Sequence, residues 1–559
     1  MKRMFAIILL SVLSCASAFA YDFSAVCESG QTLFYKIISN NEPYKVVVTC
    51  ENIMIYNSIQ YSYSTYPTGD LIIPSTVINQ DITYSVTGIG DGAFYGCENL
   101  TSVSISNSIN SIGEQAFQGC SGLSSFTIPN SVTSIGVRAF YDCRGLVELY
   151  IGESVASIGH FAFGLCSGLT SVVVPNSVTS FGYGIFNGCS GIQHPVYNDT
   201  HFIYFPDNYD NVYTIPDGIQ YIDDAAFRDC VSLTSIVVPN SVINIGYDAF
   251  RDCSGLTDVT LGNSLAYIGQ LAFYGCSGLS SVFFTGNIEQ WCGIWFYDIY
   301  SNPLYQAHNL YVNNELVTDL VIPETVLEIK DLSFFHARCL ETIEFGNSIT
   351  RIGCNAFYGC NGLTGELIIP NSVTNIGEGA FGECNELNSI TLGSAVINIG
   401  TGAFGYCGSI DTIYSFAINP PTIGMRTFND VDTNIPIIVP CGSATAYNNA
   451  EYWNYFTNIQ EDCSFVEENE ISDLQIFPNP VGNILNITSS EEISSIEIVN
   501  TLGQVVLQMD VNGESAICDV ENLPSGVYVV KVRTIRQACF GSAQQAAGVD
   551  VAQMKFIKE

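Results

Sequence analysis

The segment Ala-Phe-x-x-Cys returns along this chain with a fixed beat, as Ala93-Phe94-Tyr95-Gly96-Cys97, Ala116-Phe117-Gln118-Gly119-Cys120 and Ala139-Phe140-Tyr141-Asp142-Cys143, 23 residues apart. The beat continues through Phe163, Phe186, Phe227, Phe250 and Phe273, and resumes at Phe357, Phe381 and Phe404. Self-similarity at such a period limits the chain to a stacked architecture, because one period cannot bury its own apolar set and neighbours must supply the core. Within a period, Leu123, Phe126 and Ile128 have the spacing of a strand, while Val132, Ile135, Ala139 and Phe140 form a second apolar set. Gly136 is expected where the backbone takes a conformation other residues resist. The predicted fold is a repeat solenoid whose equivalent strands lie about 4.8 Å apart.

The run Ile128-Pro129-Asn130-Ser131-Val132 through Ile135-Gly136 to Cys143 closely resembles the BspA-like leucine-rich repeats, and the resemblance extends over residues 68–440. It implies a leucine-rich repeat array with a parallel sheet on the concave face. Members of that family are typically secreted or surface-exposed, and several are adhesins for host matrix proteins or other microbes.

The flanks read differently. Lys2 and Arg3 precede an apolar run from Phe5 to Leu13 and the small-residue pattern Ala18-Phe19-Ala20, so residues 1–20 are expected to be a cleaved secretory signal. Val12-Leu13-Ser14-Cys15 loosely resembles a lipobox, but Leu13 fits that box poorly. Residues 21–67 show strand-like alternation and are expected to form a β cap over the first coil. Residues 441–470 are expected to close the array and end in the acidic linker Glu467-Glu468-Asn469-Glu470. Residues 471–559 alternate strands with Gly and Pro turns, as in Leu523-Pro524-Ser525-Gly526-Val527-Tyr528, and are expected to form an all-β, sandwich-like domain. This module looks like the type A C-terminal sorting domain of the type IX secretion system, which implies that machinery as a partner. The stretch from Ile535 to Gly548 is longer than that pattern usually allows, leaving the placement of the last strand open.

Composition narrows the chemistry. Asp and Glu outnumber Lys and Arg by 54 to 17, and the resulting charge of −37 repels nucleic acid and anionic lipid surfaces. No segment has the length of an uncharged membrane-spanning helix. His160, His194, His201, His308 and His336 are scattered, and no zinc, nucleophile-elbow or metalloprotease spacing occurs. Gly377-Glu-Gly379-Ala-Phe-Gly382 and Gly400-Thr-Gly402-Ala-Phe-Gly405 match a dinucleotide-binding string, but they fall on the repeat corner and open no helix. The sequence therefore predicts no catalytic, cofactor-binding or metal residue. The repeat cysteines are expected to be free and buried, since parallel Cα–Cβ vectors on adjacent coils do not suit a disulfide. Cys27 with Cys50, and Cys441 with Cys463, are the better candidates for bridges.

Candidate binding residues come from two places. The step from Phe273 to Phe334 is 61 residues and carries Trp291, Trp295, Tyr297 and Tyr300, which would serve either as a recognition patch or as the core of a longer coil. The 41-residue step from Phe186 to Phe227 suggests a variant coil with an outward loop. Outward strand positions, including Ser102, Ser125 and Ser235, are mostly hydroxyls that could bind a ligand or simply suit a solvated sheet face. The expected function is non-catalytic recognition of a host matrix protein, a microbial surface protein or a glycan. Alternatives are a secreted hydrolase with its site in the insert near Trp291, or a passive surface structural protein.

Overall fold

The computed structural model describes residues 17–56, 58–463, 474–478, 481–500, 505–524, 526–535 and 549–558. The expected signal up to residue 16 and the acidic linker at 467–470 lie outside the described residues. The chain divides into two compact units, residues 1–437 with 448–458, and residues 438–447 with 459–559.

The first unit is a β-solenoid. Most coils contribute a strand of three to six residues to a series of parallel ladders, as in Ser125–Ile128, Glu148–Ile151 and Ser171–Val173, where Phe126 pairs Leu149 and Leu149 pairs Val172. Each coil also gives a two-residue strand to a second parallel ladder, as in Ser111–Ile112, Ser134–Ile135, Ser157–Ile158 and Ser180–Phe181. This second ladder was not anticipated, because two residues are too few for a period-two pattern to be read. The third side is the Ala-Phe turn, where Phe94 N–H donates to Ala116 O and Phe117 N–H to Ala139 O, both at 2.7 Å.

The core follows the predicted periodicity. Leu123, Phe126, Ile128, Val132, Ile135, Ala139 and Phe140 are all buried. The repeat phenylalanines stack in a column, with ring centroids 5.1 Å apart for Phe94–Phe117 and Phe117–Phe140. The column ends with Phe428 against Trp453, whose indole Nε1 donates to Pro421 O.

The repeat cysteines are free and buried. From Cys120 onward each thiol donates to the phenylalanine carbonyl of the preceding coil, as in Cys120 to Phe94 O at 3.2 Å and Cys143 to Phe117 O at 3.1 Å. That carbonyl also accepts the amide of its own coil's cysteine, Cys120 N–H to Phe117 O at 3.1 Å. The site therefore calls for a small side chain that packs as an apolar group yet carries a donor, which cysteine supplies.

Gly136 has a different role from the one expected. Its φ is not positive; instead a Cβ there would lie 2.5 Å from the Gly113 carbonyl carbon, so glycine permits the coils to stack. The left-handed conformation falls on the residue before each Ala-Phe, including Gln115, Arg138 and Phe161 with φ of 55°, 52° and 53°.

Lys45–Thr49 pairs parallel with Ile82–Ile89, and Thr32–Ser39 and Phe23–Val26 add antiparallel strands outside it, covering the first edge of the short ladder. Ser17–Phe19, within the expected signal, pairs with Asn52–Tyr56. The expected Cys27–Cys50 bridge is absent, and both thiols are free. Cys27 follows the strand Phe23–Val26 and Cys50 follows Lys45–Thr49, with Thr32–Ser39 between them. Two strand spacings of about 4.8 Å exceed what a disulfide spans.

In the second unit Cys441 and Cys463 form a disulfide. Gln475–Phe477, Ile484–Asn500, Val505–Asp519, Gly526–Ile535 and Val549–Lys558 make one antiparallel sheet. The long strand Ile484–Asn500 keeps Val505–Asp519 as a partner through register shifts after Thr488 and Ile493, and exchanges Gln475–Phe477 for Gly526–Ile535 along its length. Leu485 and Ile487 from its first half thus join Ile496 and Ile498 from its second in one core with Val530 and Val532. The last strand, in doubt from sequence, pairs with Gly526–Ile535 without a register break; residues 536–548 before it lie outside the described residues.

Candidate functional site

The insert opens on Asn287-Ile-Glu-Gln290, a reciprocal capping box. The Asn287 side chain accepts from Gln290 N–H at 2.9 Å, and the Gln290 side chain accepts from Asn287 N–H at 3.0 Å. The short helix Ile288–Cys292 that follows buries Trp291 and Cys292. Gly293 ends it, and Trp295–Phe296 joins the short ladder beside Tyr267–Ile268. Strand alternation then turns Phe296 inward and leaves Trp295 64% and Tyr297 55% exposed.

Trp291 is not a surface residue. It is fully buried, and its indole donates to Ser333 O at 2.8 Å, so its place among the candidate binding residues is corrected to the core. The reason is the break in the array. Trp295–Phe296 pairs on one side only, and the next short strand, Glu328–Ile329, pairs only with Arg351–Ile352. Across this break the Ser333 carbonyl, which regular stacking would satisfy, is met by side chains, the Trp291 indole and Asn302 Nδ2 at 3.4 Å, and Asn302 Nδ2 also reaches Leu332 O at 2.7 Å.

Where the ladder is interrupted a cleft of about 460 Å³ opens, lined among others by Trp295, Tyr297, Asp298, Tyr300, Asp331 and Asn355. Its carboxylates are held in place. Asp298 Oδ1 accepts from Tyr300 N–H at 3.0 Å and Ser301 N–H at 2.8 Å. Asp331 Oδ1 accepts from Cys354 N–H at 2.7 Å and Arg351 Nη2 at 2.9 Å. Tyr300 is half-buried, edge-on to Tyr274 and Tyr305.

The structure thus brings Trp295, Tyr297 and Tyr300 together, and keeps the three serines apart from them on the long-strand ladder. Ser102 Oγ donates to Asp70 Oδ1 at 2.6 Å, and Ser235 Oγ to Asp258 Oδ1 at 2.5 Å, so both hydroxyls are engaged on adjacent coils. Ser125 is exposed.

Sequence reasoning overlooked Asp298, Asp331 and Asn355, and also a column leading to the cleft. Tyr221, Asn244, Tyr267 and Trp295 are register partners on four successive coils, and His201 stacks on Tyr221 at 4.6 Å. His201 Nδ1 lies 2.8 Å from Asp223, whose carboxyl burial pushes up to about 6 against that hydrogen bond. The signal was available: the residue preceding the corner isoleucine is Ser134 or Ser157 in the early coils and Tyr221 or Tyr267 here. Burial also pushes the Cys120 and Cys407 thiols up to about 12, which leaves these two protonated and poor nucleophiles.

Residues 75–193, 201–302 and 307–434 match the BspA type leucine rich repeat region in 6 copies, and residues 475–539 match the secretion system C-terminal sorting domain. Among solved structures, the chain is similar to a leucine-rich repeat protein from Bacteroides ovatus, at 23% identity over 77% of this chain and 98% of that one, with a TM-score of 0.41. It is also similar to a leucine rich cell surface protein from Faecalibacterium prausnitzii, at 23% identity over 58% and 95% of the two chains and a TM-score of 0.30. A third, the pneumococcal vaccine antigen PcpA, shares 16% identity over 79% and 99% with a TM-score of 0.29. No curated protein matches. The sorting domain directs the chain through type IX secretion to the cell surface or beyond it. With its matched repeats spanning most of the sequence, the chain belongs to the BspA-type leucine-rich repeat family and carries a C-terminal secretion sorting domain.

Proposed function

We propose that this protein recognises a macromolecular ligand at the cell surface, in the manner of an adhesin, and is not an enzyme. The observation that carries the reading is the strict register of the ladders, which stacks equivalent outward side chains over consecutive coils. Such a surface is broad and rigid, so a large ligand can be held at little ordering cost. The hydroxyls and aromatics it presents suit a protein or glycan partner, and the charge of −37 disfavours a polyanionic one.

The test is adhesion of native host cells to immobilised laminin, collagen and mixed glycans. Cells producing the full chain should bind at least one of these surfaces, and cells lacking residues 471–559 should lose that binding because the array no longer reaches the outside. Equal adhesion by cells with and without the whole protein would refute the reading. Two carboxylates, Asp298 and Asp331, on one cleft favour a second reading, a secreted hydrolase acting there. Release of new reducing ends from a polysaccharide, lost in Asp298→Asn and Asp331→Asn, would establish it.

A further inference from the structure

The three tryptophans occupy two kinds of environment. Trp291 and Trp453 are fully buried, whereas Trp295 presents its ring to solvent at the mouth of the cleft. We propose that the cleft, with the column of Tyr267 and Asn244 that leads to it, binds a neutral oligosaccharide. This deepens the recognition reading above and rests on it.

The chemistry of the walls argues for a sugar. Exposed aromatic faces carry negative potential and match the weakly positive C–H faces of a pyranose, and Trp295 and Tyr297 offer two such faces with half-buried Tyr300 beside them. Hydroxyl groups at the sugar's edge need fixed acceptors and donors, which Asp298, Asp331 and the Asn355 carboxamide supply at the same cleft. Both carboxylates are already oriented by backbone amides, so little ordering remains to be done on binding. The volume of about 460 Å³ lies within the usual range for small-ligand sites.

Charge and geometry exclude the competing occupants. The lining contains two Asp and no Lys or Arg, and the Arg351 guanidinium beside it is taken up by Asp331 and Glu328, so a sulfated or uronic sugar, or a phosphate, is disfavoured. A peptide adding as a strand would find only the two-residue strands Trp295–Phe296 and Glu328–Ile329 beside the break, too short for a useful ladder of main-chain bonds. An extended sugar chain can instead run from the cleft along the column, meeting one side chain per coil at steps of about 4.8 Å.

Because Trp295 is the tryptophan open to solvent, intrinsic fluorescence of the full chain reports on this site directly. The probes are cellohexaose, xylohexaose, laminarihexaose, mannohexaose and maltohexaose, with chondroitin sulfate as the anionic control. At least one neutral hexasaccharide should give a saturable change in emission. Calorimetry should then show its affinity falling about tenfold or more in Trp295→Ala and in Tyr297→Ala, with thermal unfolding of both variants unchanged. Tyr150→Ala, on the long-strand ladder, should bind as the parent does. Failure of all five neutral probes overturns the proposal, as does binding that survives both cleft variants or a preference for chondroitin sulfate. If the sugars fail while producing cells still adhere to laminin or collagen, the oligosaccharide site falls and the general recognition reading stands.

Discussion

The coils between Ala93 and Cys189 and the insert between Phe273 and Phe334 solve one problem in two ways. Both must provide donors to backbone carbonyls inside a dry core. The regular coils do so by repetition: amides stack coil on coil, and from Cys120 onward the thiol adds a second donor to the Phe carbonyl of the preceding coil. In the insert the repetition fails, Ala337 stands at the cysteine position, and Trp291 and Asn302 become the donors. Regularity leaves a flush surface, whereas its failure leaves a cleft. Recognition is therefore to be sought where the array departs from its own rule.

The largest effect expected follows from the thiol ladder. Cys120 and Cys407 titrate at 9.0 when unperturbed, and burial pushes them up to about 12. Above pH 9 the unfolded chain sheds protons that the folded array retains, so their stabilisation is complete below pH 9 and is lost as pH rises from 9 to 12. Each such thiol contributes a slope of about 1.4 kcal/mol per pH unit. Urea unfolding should be flat to pH 9 and fall steeply beyond it, with a shallower fall in the Cys120→Ala, Cys407→Ala double variant. A slope that the double variant leaves unchanged would break the comparison, since the thiols would then be incidental.

Next in size is Phe140→Ala. The ring stacks on Phe117 and Phe163 and is fully buried, so its removal should cost about 3–5 kcal/mol. Hydrogen exchange should rise at the neighbouring coils as well, because each coil is stabilised through its interfaces. Tyr297→Ala, in the exposed part of the insert, should leave both measurements within error.

Trp291→Phe addresses the other half of the comparison. It keeps a ring in the core but leaves Ser333 O without the indole donor, which should cost about 1–3 kcal/mol. The loss should appear as faster exchange confined to the coils beside the break. A cost spread evenly over the array would mean that Trp291 is ordinary packing and no staple.

Much of this was legible beforehand, and the boundary of legibility is physical. The beat, the inward residues and the long strands could be read because each rests on side-chain periodicity, as Leu123, Phe126 and Ile128 show. The short ladder could not, since Ser134–Ile135 is too brief to carry a pattern. The role of Gly136 was misplaced because a sequence indicates that glycine is needed and not whether torsion or proximity needs it; here it is proximity to Gly113. In the insert, the aromatic residues were visible but their partition was not. Trp291 and Trp295 are four residues apart, and their opposite fates depend on a capped helix and a two-residue strand placed by tertiary pairing.

The smallest effect tests why the repeat uses cysteine. Cys143→Ala removes both the sulfur's packing and the donor to Phe117 O, for a cost of about 1–2 kcal/mol. Cys143→Ser loses the sulfur's bulk and adds a more polar group, yet it keeps a donor at the same position. If the bond to Phe117 O matters, Ser should be less destabilising than Ala although it is the more hydrophilic of the two. If packing alone matters, the order reverses, because burying a hydroxyl adds a desolvation cost that a methyl group does not. Thermal unfolding of the two variants side by side gives the sign, and the same pair made at Cys166 or Cys253 should repeat it, since those thiols meet Phe140 O and Phe227 O in the same way. Cys292 supplies the contrast: it is buried in the insert, outside the Phe-x-x-Cys register, so its exchange for Ala and for Ser should follow the packing order even if the repeat positions follow the hydrogen-bond order.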